Sequence, residues 1–511
     1  MVLNILTSPD ALDSIQLGTA PLIFTLLLIL TLIFFELYLI KIIIQTDGEK
    51  KFQLNQKINR TITIPFILVV LSEKIAYGLA SLTNRNEIIS RFTVIPLYQP
   101  LTFNKLANRY FGYKPQVDTQ NTIRTEATLN YPIHPLKIEK IKKPFNIFII
   151  ASDSVSYSTI NATNSPNIEG FKRDSINLKN HFSGGNATRF GIFSLMYGLN
   201  STYWFPFLNN SQGSILFDVL KKQNYDISII SSTNTNWPEF KKTCYVNIQD
   251  TIQDKFEGKP WEKDQASSQA FISRVAKQER DKPLFSFLFL DAPHGYSFPP
   301  KENHFQAPNR EINYLNISPE SSELENMKKV YNNAVYYNDK LFGKIVTQLK
   351  KSHLYEEALV IYTSDHGQEM FEYGNFGHNS SFSKGQTQTP MIIKLPKSLN
   401  IEIPKQLNQS MTSHNDIVPT LLNLLGVKNP NSDYTNGKNI FSKEFKRNHI
   451  FSANWNNNAI ITPQFTYVFS NLPNKMFRNE VHRNSDYNIV KQKIDNTILL
   501  NTINENRRFL K

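Results

Sequence analysis

The sequence predicts an α/β protein whose sheet carries helices on both faces, preceded by two transmembrane helices. Three observations predict it. Apolar, β-rich runs alternate with helical stretches from residue 145 onward. Several of those runs end directly in Asp or His. Two long apolar segments lie within the first 83 residues.

The chain has 511 residues, enough for one large α/β domain with appendages. Its net charge of +13, from 56 Lys+Arg against 43 Asp+Glu, suits contact with an anionic surface. No arginine-rich arm, zinc finger or other nucleic-acid module is legible, so lipid is the expected partner and nucleic acid is not. The lone cysteine, Cys244, excludes an internal disulfide framework.

Residues 1–40 contain no Lys or Arg, which argues against a signal peptide. The segment at about 21–44 is interrupted only by Glu36 and Lys41 and is long enough to span a bilayer. The loop after it holds Lys50, Lys51, Lys57 and Arg60. A second apolar segment, at about 62–82, contains Glu73 and Lys74. The basic loop between them is expected in the cytoplasm, which puts the long remainder outside it. Residues 1–83 thus form a membrane region.

Residues 84–140 read as a basic periplasmic connector. Arg85, Arg91, Lys105, Arg109 and Lys114 stand against Glu87, and Phe103, Leu106, Tyr110 and Phe111 recur at helical spacing. The pattern fits a helix lying on a membrane surface, its basic residues binding anionic lipid. It also fits a helix packed on the soluble domain.

The α/β domain is expected over 141–427. Strands are predicted at Asn146–Ser152, Asp226–Ser231, Leu284–Leu290, around Leu359–Tyr362, and at Met391–Leu395. Helices are predicted at Ser165–Asp174, Phe190–Tyr197, Ile215–Lys222, Gln265–Arg280, Pro319–Lys350 and from Asn415. Residues 428–511 form a C-terminal subdomain with strand-like pieces at Ala459–Ile461 and Phe465–Phe469.

Ligands of such sheets bind beyond the carboxyl ends of the strands. Asp153, His294 and the pair Asp365-His366 all follow strand ends and can share one crevice. Carboxylate and imidazole are metal ligands by type. Gly367 follows the pair, where a Cβ would crowd the site, and His378 comes after the glycine-bracketed Gly374–Gly377. Thr188 follows a Gly-Gly turn and opens a helix. It reads as an N-cap, as a nucleophile, or as both.

Together these features resemble the alkaline phosphatase/sulfatase superfamily. The segments Ser183–Leu199, Gly377–Pro396, Thr412–Leu422 and Ile95–Tyr113 are similar to the inner-membrane YejM/PbgA family. The resemblance runs from the first residues to about Leu425. That family has five membrane helices, so the two segments here correspond to the last two, with the first membrane helices lacking. The related phosphoethanolamine transferases and lipoteichoic acid synthases imply one divalent metal (Zn, Mn or Mg) held by Asp153, Thr188, Asp365 and His366, with Thr188 as nucleophile. They imply a substrate-contacting role for His294 and a metal or phosphate ligand at His378. The implied location is the bacterial inner membrane with a periplasmic domain. The implied partners are lipopolysaccharide, cardiolipin or another phospholipid, and a membrane protein met through the transmembrane helices. Two functions follow from the resemblance. One is a metal-dependent hydrolase or transferase of phosphate esters. The other is a catalytically weak lipopolysaccharide sensor that restrains lipid A synthesis. Sulfate ester hydrolysis through formylglycine is not expected, because Cys244 stands in Lys-Thr-Cys-Tyr and no Cys/Ser-x-Pro-x-Arg surrounds it.

Overall fold

The computed structural model describes residues 128–278, 282–470 and 479–511, with parts of two helical stretches within 27–38 and 65–79. The chain divides into two compact units, one centred on 17–124 and the other holding the α/β domain and the C-terminal residues. In the first unit the described residues are helical, and Leu27, Phe34, Phe35, Leu68 and Val69 are exposed. No helix among the described residues is long and apolar enough to cross a membrane. Most of the expected span at 21–44 lies outside those residues, as do the two ends of the one at 62–82, whose middle is helical where described. So do the connector helix at Phe103–Phe111 and the five basic residues Arg85, Arg91, Lys105, Arg109 and Lys114.

The second unit is built on a seven-stranded sheet. Its strands are β1 (Asn146–Ser152), β2 (Ile176–Asn177), β3 (Asp226–Ser231), β4 (Ile252–Gln253), β5 (Leu284–Leu290), β6 (Ala358–Ser364) and β7 (Met391–Lys394). The order is β2-β7-β6-β1-β5-β3-β4. The five strands from β6 to β4 run parallel, whereas β7 pairs antiparallel with both β6 and β2.

Alternation along β1 sends its side chains to two separate cores. Ile147, Ile149 and Ala151 join one apolar cluster, and Phe148 and Ile150 join another. Helices α2 (Thr188–Tyr197), α3 (Ile215–Lys222) and α6 (Ile417–Leu424) supply the first core. Helices α1 (Pro166–Phe171), α4 (Pro260–Ala276) and α5 (Ser322–Lys351) supply the second. Both faces are therefore covered, which is why β5 and β6 are buried throughout.

Helix α4 begins five residues before the expected Gln265. Pro260 takes the first helical position and the Lys259 N–H donates to Glu262 Oε2 at 2.7 Å. The C-terminal residues form an antiparallel sheet of β8 (Ile450–Ala453), β9 (Asn457–Ile461), β10 (Phe465–Ser470) and β11 (Glu480–Arg483). Helix α7 (Asn496–Glu505) follows, and its Ile498 and Leu499 pack on that sheet. The described part of the expected connector, 128–140, belongs to this unit, with Leu129 opposite Leu510 and Ile138 opposite Val427.

Candidate metal centre

Strand register assembles the site. Ser152 on β1 lies opposite Leu290 on β5 and opposite Ser364 on β6. The next residue on each strand is an aspartate: Asp153, Asp291 and Asp365. Parallel neighbours lie roughly 4.8 Å apart, so three carboxylates meet at adjoining strand ends. Asp153, Asp365 and His366 offer ligand atoms within 4.8 Å of one another, as do Asp153, Asp291 and His294.

Thr188 comes from the other side, at the first position of α2. It is not the N-cap, since Ala187 holds that position. Its hydroxyl donates to Asp153 Oδ2 at 3.2 Å and stands 3.3 Å from His366 Nε2. His366 Nδ1 lies 3.0 Å from the Gly367 carbonyl, which fixes the proton there and leaves Nε2 bare. That bare nitrogen faces Asp365 Oδ2 at 3.4 Å and Asp153 Oδ1 at 3.6 Å.

These atoms are acceptors facing acceptors. Asp365 is fully buried, and its Oδ2 receives no hydrogen bond. Its Oδ1 takes the Ser154 N–H at 3.1 Å and the His366 N–H at 2.8 Å. Burial, then the Asp153 charge, pushes the Asp365 carboxyl well up, and burial pushes the His366 imidazole down. A divalent cation would satisfy such a set of acceptors, which a proton shared between Asp365 Oδ2 and His366 Nε2 satisfies in its absence. Donor separations of 3.2–3.6 Å match the edge of a tetrahedron with bonds of about 2.1 Å. The residues fit a divalent metal.

Close packing holds the pair Asp365-His366 in place. A Cβ on Gly191 of α2 would lie 2.2 Å from the Asp365 carbonyl oxygen. A Cβ on Gly367 would lie 2.2 Å from the Gly385 carbonyl. Both glycines are needed for close approach; neither has a positive φ.

The two further histidines converge on the same place. The His378 ring centre is 4.6 Å from that of His366 and 5.4 Å from that of His294. His378 Nδ1 pairs with Gln368 Oε1 at 3.0 Å, and burial holds its imidazole well down. His294 Nδ1 pairs with Asp291 Oδ1 at 3.0 Å. Burial opposes charge on His294, but the Asp153 and Asp291 carboxylates outweigh it and raise the imidazole to about 10. Asp153, Thr188, His294, Asp365, His366 and His378 are thus brought together. Sequence reasoning missed Asp291, although it follows a strand end as Asp153 does. It also missed Gln368, for which the sequence carries no signal.

Arg189 follows Thr188 but leaves the helix in another direction. It is 4 % exposed and its guanidinium carbon lies 5.1, 4.6 and 4.3 Å from the ring centres of Trp204, Trp237 and Trp455. Its Nη2 is 2.6 Å from Glu239 Oε2. Burial lowers the guanidinium to about 10 even with that partner. This cage ties α2 to the loop after β3 and to the turn between β8 and β9. Changing Arg189→Met should destabilise the fold by about 2 kcal/mol, and Arg189→Lys by about half of that. Thermal unfolding reads the difference, and equal losses would contradict a role for the charge.

Cys244 is buried in the core beside Thr243 and Tyr245, where burial pushes its thiol up. It takes no part in the cluster around Thr188.

Comparison with known proteins places this geometry. The sulfatase family model matches residues 145–427, and a domain of unknown function (DUF3413) matches residues 1–138. The inner membrane protein YejM of Salmonella typhi is 24% identical over 424 residues, covering 80% of this chain. The chain spans 64% of that relative's length. Among solved structures, the phosphonate monoester hydrolase of Agrobacterium radiobacter superposes with a TM-score of 0.53 at 16% identity, covering 71% of this chain and 94% of that one. The C-terminal periplasmic domain of EcEptC from Escherichia coli, in complex with Zn, superposes with a TM-score of 0.50 at 16% identity, covering 64% and 94%. With its covered mixed sheet, its strand-end Asp and His residues and the Thr that opens α2 beside them, the chain belongs to the sulfatase family and is a relative of the YejM proteins.

Proposed function

We propose that this chain is a membrane-associated sulfatase-like protein of the bacterial envelope, with its α/β domain in the periplasm, that hydrolyses or transfers phosphate esters of envelope lipids. One observation carries the reading. The Thr188 hydroxyl sits at the helix N-terminus within 3.3 Å of both Asp153 and His366, beside an undonated Asp365 oxygen. The relatives' names support the location, since YejM is called an inner membrane protein and the EcEptC domain periplasmic.

Asp153, Asp365, His366 and Thr188 would hold one divalent metal: zinc, manganese or magnesium. Bound there, it supplies Lewis-acid activation of the Thr188 hydroxyl and neutralises charge on the phosphoryl oxygens. Asp153 accepts the hydroxyl proton as Thr188 Oγ1 bonds to phosphorus and the ester P–O bond breaks. His294, held protonated by its carboxylate neighbours, donates a proton to the departing oxygen. The free N–H groups of α2 face the developing negative charge. His378, fixed by Gln368, orients the phosphoryl group. Water or an acceptor hydroxyl then displaces Thr188 by the reverse path. Hydrolysis of bis(4-nitrophenyl) phosphate by the full chain, lost on chelation and restored by Zn or Mn, tests this.

A second reading is a weakly catalytic lipopolysaccharide-binding regulator of lipid A synthesis. It is favoured by the 80% coverage of this chain by its match to YejM. Under it the chain binds metal and lipid without turnover. A membrane protein partner through the first unit fits either reading.

Both readings use the basic connector. Arg85, Arg91, Lys105, Arg109 and Lys114 are proposed to hold lipid phosphates, each contributing about 1 kcal/mol at low salt. Changing Lys105 and Arg109 together to Ala should lower co-purified anionic lipid (lipopolysaccharide or cardiolipin) several-fold without lowering the melting point. Unchanged lipid with a lower melting point would place the pair against the soluble domain instead.

A further inference from the structure

Ser154 has a backbone that serine disfavours. Its φ is +62°, in the left-handed region, although glycine would adopt it freely. It is also fully buried, so no contact with solvent accounts for a serine here.

Its contacts account for it. The Ser154 N–H donates to Asp365 Oδ1 at 3.1 Å, across to the neighbouring strand end. Its hydroxyl donates to Asp153 Oδ1 at 2.8 Å. Its carbonyl accepts from the Tyr331 hydroxyl of α5 at 2.7 Å. One residue therefore grips both carboxylates of the candidate metal set, one through the main chain and one through the side chain. The left-handed turn directly after Asp153 makes both grips possible. The consequence is visible at Asp365. With Oδ1 engaged by two N–H groups, Oδ2 is left turned towards His366 without a donor.

We infer that Ser154 is a positioning residue for the metal: its hydroxyl orients Asp153, and its strained turn aims the free oxygen of Asp365. A glycine would keep the turn and the N–H but release Asp153. The serine is thus explained by its hydroxyl and not by the backbone. The inference rests on the metal reading and extends it to a residue that would not itself ligate the ion.

The test uses the metal-free full chain titrated with Zn²⁺ against a chromophoric chelator, with Ser154→Gly and Ser154→Ala. Both variants should bind Zn²⁺ at least tenfold more weakly, the range in which ligand-orienting partners act. The melting point of metal-free Ser154→Gly should exceed that of Ser154→Ala, because both lose the bond to Asp153 and only the glycine relieves the strain. The Ala variant keeps the strain and should melt lower. If it fails to fold, the Gly variant still decides. Visible spectra of the Co²⁺-loaded chains should differ between wild type and Ser154→Gly, since the orientation of a ligand changes. Wild-type Zn²⁺ affinity and an unchanged Co²⁺ spectrum in Ser154→Gly would overturn the inference and leave the metal site standing. A wild-type chain that binds neither ion would remove the metal reading, and the role of Ser154 with it.

Discussion

Thr188→Ala should lower phosphodiester turnover by about 10³-fold or more while leaving the unfolding free energy within about 1 kcal/mol of wild type. The side chain makes two contacts, with Asp153 and His366, and both are with site residues. It does not cap α2, because Ala187 occupies that position, so no capping energy is lost. Alanine is also the better helix former. Metal should remain bound through Asp153, Asp365 and His366. Thr188→Ser should retain part of the activity, since a hydroxyl stays in place. Steady-state kinetics with saturating metal reads both variants. Undiminished turnover in Thr188→Ala would remove it as nucleophile.

Gly191→Ala should be the most damaging small change on α2. Helix propensity alone favours it by about 1 kcal/mol. Against that, the new Cβ would lie 2.2 Å from a backbone oxygen of Asp365, which cannot rotate away. Overpacking of this kind typically costs about 1–3 kcal/mol and occasionally more, and here the group displaced belongs to a proposed ligand. We expect a net loss of about 2 kcal/mol and weaker metal binding. Gly170→Ala on α1 is the control. No atom lies within 4 Å of its new Cβ, so stability should rise slightly. Melting curves of the two variants check the pair, and a stable Gly191→Ala with normal metal affinity would mean that α2 does not press on Asp365.

Much of this was legible in the chain. The apolar runs at 226–231 and 284–290 became strands with the expected bounds, because short β-branched and aromatic runs bounded by turn residues have few alternatives. Asp153, Asp365 and His366 were legible because ligands gather at carboxyl ends of strands. What stayed hidden depends on the third dimension. Asp291 joins the site through the register of β1 with β5, which one sequence does not display. The reading of Thr188 as a cap failed because the preceding Ala187 already has the extended conformation of a cap. Residues 189, 204, 237, 239 and 455 make one cage, and no spacing rule connects positions so far apart. The positive φ of Ser154 goes with two tertiary hydrogen bonds, to Asp365 and from Tyr331, and leaves no trace in composition.

The most direct test of the metal centre is the metal content of the purified full chain and of Asp365→Ala after equilibration with Zn²⁺ and removal of free ion. About one tightly held ion per wild-type chain is expected. Almost none is expected in Asp365→Ala, because the variant lacks the buried, undonated carboxylate oxygen proposed to hold the ion. His414→Ala is the matched control. His414 is fully buried, its imidazole is pushed down to about 3 by burial, and it faces Thr389 and Ser194, so its loss should lower stability and leave the ion in place. Full occupancy in Asp365→Ala, or none in the wild type, would contradict a metal centre at Asp153, Asp365 and His366.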